Sequence, residues 1–191
     1  RARILNAVLI PLEGDYQIAL RRAPDASVAF NEAWGKAAFK ARALVSLREL
    51  MGLIGGHEWR KRGVEIPALG QAPNNRIHPF YGVYSPVRGE YIDLVQNTPL
   101  PVSAQLPGSV LVEVGAGTGV LSAVLATRAS GVVVATELDD RAVACARFNL
   151  QNLGLANRVD LIQCDMFPDR QADLVVCNPP WLPAKPSAPI K

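Results

Sequence analysis

The 191 residues carry 20 Lys+Arg against 17 Asp+Glu, a formal net charge of +3, with 49% hydrophobic and 19% charged residues. That balance excludes a disordered tail and a polyelectrolyte, and the length accommodates one domain with an appendage or two small ones. No uncharged run approaches the roughly 18 apolar residues of a membrane span, and the N-terminus carries no signal-peptide pattern.

The small basic surplus lies upstream. Residues 1–100 hold 13 basic and 9 acidic groups, whereas residues 101–191 hold 7 and 8. The run Arg60-Lys61-Arg62 reads as a solvated face rather than a phosphate contact, because nucleic-acid domains usually carry stronger patches. Cys145, Cys164 and Cys177 form no CxxC pair, so neither a disulfide framework nor a metal site is expected; buried free thiols in a reducing cytoplasm are. His57 and His78 are isolated from each other and from carboxylate patterns, which favours structural or exposed roles.

In chain order, Ala26, Ala29, Phe30, Ala33, Ala37, Ala41, Leu44, Leu47 and Met51 recur at three- and four-residue steps and predict helix over 26–54. Asp25 or Ser27 caps its start and Gly52 to Gly56 end it. From about 63 to 108 seven prolines interrupt short apolar runs. There the stretch Phe80–Pro86 alternates as a strand or hairpin, leading to a short helix around Gly89–Gln96 and a linker from Pro99 to Pro107.

After Gly108 the pattern is regular. Strands are expected at Val110–Val114, Val132–Thr136, Val159–Cys164 and Leu174–Cys177, with helices at Val120–Arg128 and about Asp140–Leu153. Strands alternating with helices, and nearly unbroken Val/Leu runs, indicate an α/β fold with a parallel sheet covered on both faces. Only seven residues separate Cys164 from Ala172, so that crossing is expected to be irregular rather than helical.

The chemistry concentrates at the carboxyl ends of these strands. Glu113-Val114-Gly115-Ala116-Gly117-Thr118-Gly119 joins a strand to a helix, and its glycines permit a sharp turn and close approach to a ligand. A dinucleotide fingerprint places its third glycine at the sixth position, which here is Val120, so a nicotinamide or flavin reading is disfavoured. Glu137, 22 residues after Gly115, stands where a carboxylate accepts from ribose hydroxyls. Leu138 offers an apolar edge to a purine, and Asp165 ends the third strand in the same way. The fourth strand ends in Asn178-Pro179-Pro180-Trp181. The prolines fix local carbonyls as acceptors, Asn178 adds a side-chain carbonyl, and Trp181 offers a face for stacking. Such a constellation holds a planar –NH2 group by its hydrogens.

On these motifs the chain resembles the class I S-adenosylmethionine-dependent methyltransferases, in the branch with an Asn-Pro-Pro-aromatic motif that methylates amino or amide nitrogens. The resemblance covers about Phe80 to Pro183. It implies a Rossmann-like, doubly wound sheet of seven strands, of which four precede Lys191, so the sheet is expected to be incomplete and the chain to continue beyond that residue. Residues 1–74 would form a mainly helical region for substrate recognition, and 75–191 the N-terminal part of the methyltransferase domain. The resemblance further implies S-adenosylmethionine as cofactor, bound by Glu113, Gly115, Ala116, Gly117, Thr118, Gly119, Glu137, Leu138, Asp165, Met166 and Asn178. Asn178, Pro179, Pro180 and Trp181 would hold the target nitrogen.

Tyr81-Gly82-Val83-Tyr84 and the helical N-terminal stretch look similar to the release-factor glutamine methyltransferases, although their Arg-Pro-Glu-Thr-Glu segment appears here as Arg88-Gly89-Glu90-Tyr91. A protein glutamine is therefore the expected substrate. Adenine or guanine amino groups of nucleic acid are the alternative, and an inactive cofactor-binding interaction module the reading from another class. No metal and no membrane partner is implied, and a cytoplasmic location is expected.

Overall fold

A computed structural model describes residues 2–36 and 42–179. The N-terminal part opens with α1 (Ala2–Ala7), β1 (Leu9–Glu13), β2 (Gln17–Ile18) and α2 (Ser27–Trp34), followed by β3 (Ala43–Ser46) and α3 (Leu47–Arg62). The three strands form an antiparallel sheet in the order β2-β1-β3. The helix expected over 26–54 is therefore broken, with a strand inside it. The reason is local: in Ala43-Leu44-Val45-Ser46 the burial alternates, Val45 inward and Leu44 65% exposed, and a two-residue period suits a paired strand better than a helix.

Ser46 then starts α3, its Oγ accepting from Glu49 N at 3.1 Å. The helix runs through Gly52, Gly55 and Gly56 to Arg62, so these glycines do not terminate it. Gly56 is needed for packing, since a Cβ there would lie 3.1 Å from the Tyr81 ring. The true stop is Gly63, at φ +71°, whose N–H closes onto Trp59 O. A separate core fills this part: Leu12, Phe30, Val45 and Leu53 are buried, and Tyr16 stacks on Phe30 with centroids 5.0 Å apart.

A two-stranded hairpin, β4 (Val64–Glu65) with β5 (Arg76–Ile77), leads into the larger unit. Phe80–Pro86 is not a strand. The chain turns at Gly82, where Val83 N donates to Phe80 O, and among the described residues no neighbouring strand offers a ladder. The helix that follows is α4 (Glu90–Asn97), and the stretch expected as a linker contains a short 3-10 turn whose Ala104 is fully buried.

The main sheet comprises β6 (Val110–Val114), β7 (Val132–Glu137), β8 (Val159–Gln163) and β9 (Leu174–Cys177), with α5 (Val120–Arg128) after β6 and α6 (Asp140–Asn152) after β7. All pairings are parallel, in the order β8-β7-β6-β9. Consecutive residues of β6 and β7 are buried, so both faces of these central strands are covered, as their apolar runs require. The crossing from β8 to β9 holds no helix; Asp173 anchors its end by donating its N–H to Val110 O and accepting from Val110 N, both at 2.8 Å. Because β6 has β7 on one side and β9 on the other, the strand order reverses at β6. Open α/β sheets bind ligands at the carboxyl ends beside such a reversal.

Of the three cysteines, only Cys145 is buried, its thiol pushed up to about 11 by burial. Cys164 is intermediate and Cys177 exposed, which corrects the expectation of three buried thiols. Cys177 shares the outward side of β9 with half-exposed Val175, the strand being an edge among the described residues. His57 Nδ1 lies 3.0 Å from Glu32 Oε2, and His78 Nδ1 2.7 Å from Arg60 O, so both histidines have structural partners. Among the described residues no helix is long and apolar enough to cross a membrane.

Candidate cofactor and acceptor site

A cleft of about 860 Å³ opens at the carboxyl ends of β6 and β9. Its floor is Glu113 and the glycine loop, one end is Glu137 with Asp139, the other is Asn178 with Pro179, and the outer wall is the segment Gly82–Arg88 with Tyr91. A smaller hollow of about 520 Å³ sits at the opposite ends of the strands, lined by Gly108, Gly131 and Asn157 among others, where the fold gives no expectation of a ligand.

The loop is built by the ends of two strands. Gly115 and Ala116 both donate to Thr136 O at 2.9 Å, and Gly119 N closes a turn on Ala116 O at 2.7 Å. Gly115, Gly117 and Gly119 have φ of +77°, +54° and +78°, in the region that favours glycine. Their surroundings differ. A Cβ on Gly115 or Gly117 would meet nothing within 4 Å, whereas one on Gly119 would lie 3.3 Å from Ala146. Gly115 and Gly117 thus face the open cleft, while Gly119 lets α5 pack against α6 and does not line it. Ala116 and Thr118 line the cleft but are themselves buried. Asn149, fully buried on α6, steadies the loop's far end: its Nδ2 donates to Thr118 O at 3.0 Å and its Oδ1 accepts from His78 N at 2.8 Å.

Glu137 ties the loop to the next helix. Oε2 accepts from Gly117 N at 2.9 Å, and Oε1 accepts from Leu138 N and Asp139 N at 2.9 and 3.1 Å. Asp139 caps α6 through Ala142 N at 2.9 Å. The Leu138 side chain is 50% exposed, and neither it nor Asp165 nor Met166 lines the cleft. Met166, at φ +59°, instead presents its carbonyl to the Thr136 hydroxyl at 2.6 Å, which holds the exit of β8 against β7. Asn178 and Pro179 reach the cleft; Pro180 and Trp181 lie outside the described residues.

Glu113 is 2% exposed. Burial pushes its carboxyl up to about 8; the Ser122 hydroxyl, which donates to Oε2, opposes that shift and the Glu137 charge adds to it. Burial thus favours the protonated acid, and its contact with Ser122 braces the start of α5. Its folded pKa lies above the unfolded value of 4.5, so its contribution to stability is full below pH 4.5 and is lost as pH rises through about 8. Urea unfolding should show stability falling over this window by at most about 1.4 kcal/mol per pH unit from this group. In Glu113→Gln that slope should disappear.

The outer wall is the part the strand-end motifs did not reveal. Tyr84 and Tyr91 pair at 6.4 Å between centroids, and burial raises the Tyr91 phenol above its ordinary range. Ser85 contributes a buried hydroxyl that has no hydrogen-bond partner among the described residues. The signal in the sequence was the clustering of Tyr81, Tyr84 and Tyr91 ahead of and at the start of α4, a local feature that gives no address in space.

The chain is similar in sequence to two groups of methyltransferases. The tRNA1(Val) (adenine(37)-N6)-methyltransferase of Shewanella sp. (strain MR-4) is 33% identical over 85 residues, 41% of this chain and 36% of that protein. The release factor glutamine methyltransferase of Cereibacter sphaeroides is 32% identical over 128 residues, 64% of this chain and 45% of that protein. The chain thus spans less than half the length of either relative. Among solved structures, an S-adenosylmethionine-dependent O-methyltransferase from Thermotoga maritima superposes with a TM-score of 0.38 at 25% identity, over 50% of this chain and 35% of that one. A family model described as the methyltransferase small domain matches residues 89–187, which include the glycine loop, Glu137 and Asn178. With more than half of its residues in that match, the chain belongs to the methyltransferase small domain family, and its cofactor is S-adenosylmethionine.

Proposed function

We propose that this chain methylates a planar amino or amide nitrogen of a macromolecule, a protein glutamine being the first reading. The observation that carries it is the meeting of Asn178-Pro179 with the glycine loop in one cleft.

The residues present fit the cofactor. The open sides of Gly115 and Gly117 leave room where a Cβ would stand. Glu137 Oε2 keeps a lone pair beyond the one that takes the Gly117 N–H, which suits a ribose hydroxyl, whereas Oε1 already accepts from Leu138 N and Asp139 N. The half-buried Tyr91 and the Ser85 hydroxyl supply an apolar surface and a polar contact on the facing wall. When bound, S-adenosylmethionine supplies an electrophilic methyl group.

The chain's own residues then have to orient the acceptor. The Asn178 side-chain oxygen and the carbonyls around Pro179 accept hydrogen bonds from the target –NH2, turning its nitrogen toward the cleft. As those N–H bonds gain positive character, the same acceptors stabilise them without reorganising. An amide oxygen is too weak a base to keep the proton, so Asn178 positions and polarises while the proton leaves to water.

The glutamine reading is supported by the longer overlap with the release-factor relative, which covers 64% of the chain. A nucleic-acid amino group is the second reading, supported by the similarity to the tRNA-modifying relative. Labelled S-adenosylmethionine incubated with the chain and cell extract, followed by mass spectrometry of the labelled product, separates them. Label in a glutamine side chain supports the first, label in a nucleobase replaces it with the second, and no labelled product under cofactor-binding conditions favours a non-catalytic module.

A further inference from the structure

The cleft's outer wall, Gly82–Arg88, is irregular backbone with no sheet partner among the described residues, and it raises the question of what holds it opposite the glycine loop. One side chain answers from across the chain. Arg141, in the first turn of α6, donates from Nη1 to Tyr81 O at 3.0 Å and from Nη2 to Ala33 O at 2.6 Å. Its two acceptors belong to segments that do not otherwise share a strand or helix. Tyr81 immediately precedes the wall, and its hydroxyl donates to Glu49 of α3 at 2.8 Å. Ala33 lies in the last turn of α2, where carbonyls lack intrahelical donors and the helix dipole favours a cation.

The other end of Arg141 is equally informative. It sits four residues after Glu137 and two after Asp139, in the segment whose backbone the Glu137 carboxylate gathers. The guanidinium also backs the Gly82 turn: a Cβ at Gly82, which has φ +82°, would stand 3.5 Å from Nη1. Arginine is suited to this place because a planar fork reaches two separated carbonyls at once, which a lysine ammonium on a flexible stem does less well.

We infer that Arg141 is a positioning residue that fixes the outer wall and the N-terminal helices against the cofactor loop, so that the N-terminal part of the chain sets cofactor affinity without touching the cofactor. This rests on the cofactor reading of the cleft. It assigns residues 2–62 a role in shaping the cleft in addition to any role in substrate recognition.

The test uses Arg141→Ala and Arg141→Lys in the intact chain. Affinity for S-adenosylhomocysteine is measured by calorimetry and amide hydrogen exchange is followed segment by segment. Arg141→Ala should weaken binding about fivefold to tenfold, in line with loss of charge-assisted hydrogen bonds that remain partly open to water. Exchange across 82–88 should rise by a similar factor while β6 and β7 stay within about twofold of the parent. Millimolar guanidinium ion should restore part of the affinity, and Arg141→Lys should recover less than half of the loss. Affinity and 82–88 exchange both unchanged would overturn the inference. So would a uniform rise in exchange through β6 and β7, which would make Arg141 a contributor to global stability only. Exchange requires no ligand, so it decides the positioning role even if the parent chain binds no S-adenosylhomocysteine, an outcome that would instead refute the cofactor reading.

Discussion

Asn178→Ala should reduce methyl transfer by at least about a hundredfold while leaving S-adenosylhomocysteine affinity within a few fold of the parent. The magnitude follows from the cost of removing one preorganised hydrogen-bond partner of developing charge. The split between transfer and binding follows from the architecture. Asn178 follows the last residue of β9, on the opposite side of the β6 loop from Glu137, so the two ends of the cleft draw on different strands. A labelled-methyl assay with calorimetry on the same preparation reads both quantities. Full activity in the variant would remove the acceptor role. Asn178→Asp is an informative companion: it keeps an acceptor oxygen but loses the amide N–H2 donors and adds a charge, so it should retain more transfer than Ala if acceptance is the essential property.

Glu137→Ala should act on the other half of the cleft, weakening cofactor affinity by about tenfold to a hundredfold. Two losses combine. The ribose acceptor disappears, and three backbone N–H groups, those of Gly117, Leu138 and Asp139, lose the carboxylate that gathers them. Hydrogen bonds to a charged partner contribute roughly 1.5–3 kcal/mol each when they are well formed, and water replaces part of that here because Leu138 and Asp139 lie at the surface. Glu137→Gln separates the effects, since a side-chain amide presents only one oxygen and turns an N–H2 toward backbone donors. It should fall between parent and Ala. Calorimetry with S-adenosylhomocysteine checks both variants, and unchanged affinity in Glu137→Ala would count against the ribose role.

The main sheet was legible because its signals are local and repeated. Val110–Val114 and Val132–Glu137 are near-continuous apolar runs, buried on both faces as such runs need. The absence of a helix between β8 and β9 was readable from chain length alone. The N-terminal part was harder. Ala43–Ser46 continues the apolar spacing of a helix, and only pairing with β1, in a register that runs from Leu9 opposite Ser46 to Leu12 opposite Ala43, turns it into a strand. Phe80–Pro86 fails in the reverse direction, since alternation without a neighbouring strand leaves irregular chain. Strand formation depends on a partner that spacing does not reveal.

The candidate site divides along the same line. Gly115, Gly117, Glu137 and Asn178 were identifiable because a glycine loop, an acidic strand end and an Asn-Pro turn are short motifs whose chemistry resides in neighbouring residues. Gly119 belongs to the same motif but serves helix packing, a distinction made by Ala146 arriving 3.3 Å from where its Cβ would stand. Leu138, Asp165 and Met166 share the strand-end edge but do not line the cleft. The wall of Gly82–Arg88, the raised pKa of buried Glu113 and the reach of Arg141 to Ala33 depend on segments brought together across up to 108 residues. Family, cofactor and the alternation of strands and helices along the chain were written in contiguous residues, because backbone turns and apolar periodicity act over a few positions. The shape of the cleft and the ionisation of its floor were decided by packing, because burial and long-range hydrogen bonds exist only once the chain has closed on itself.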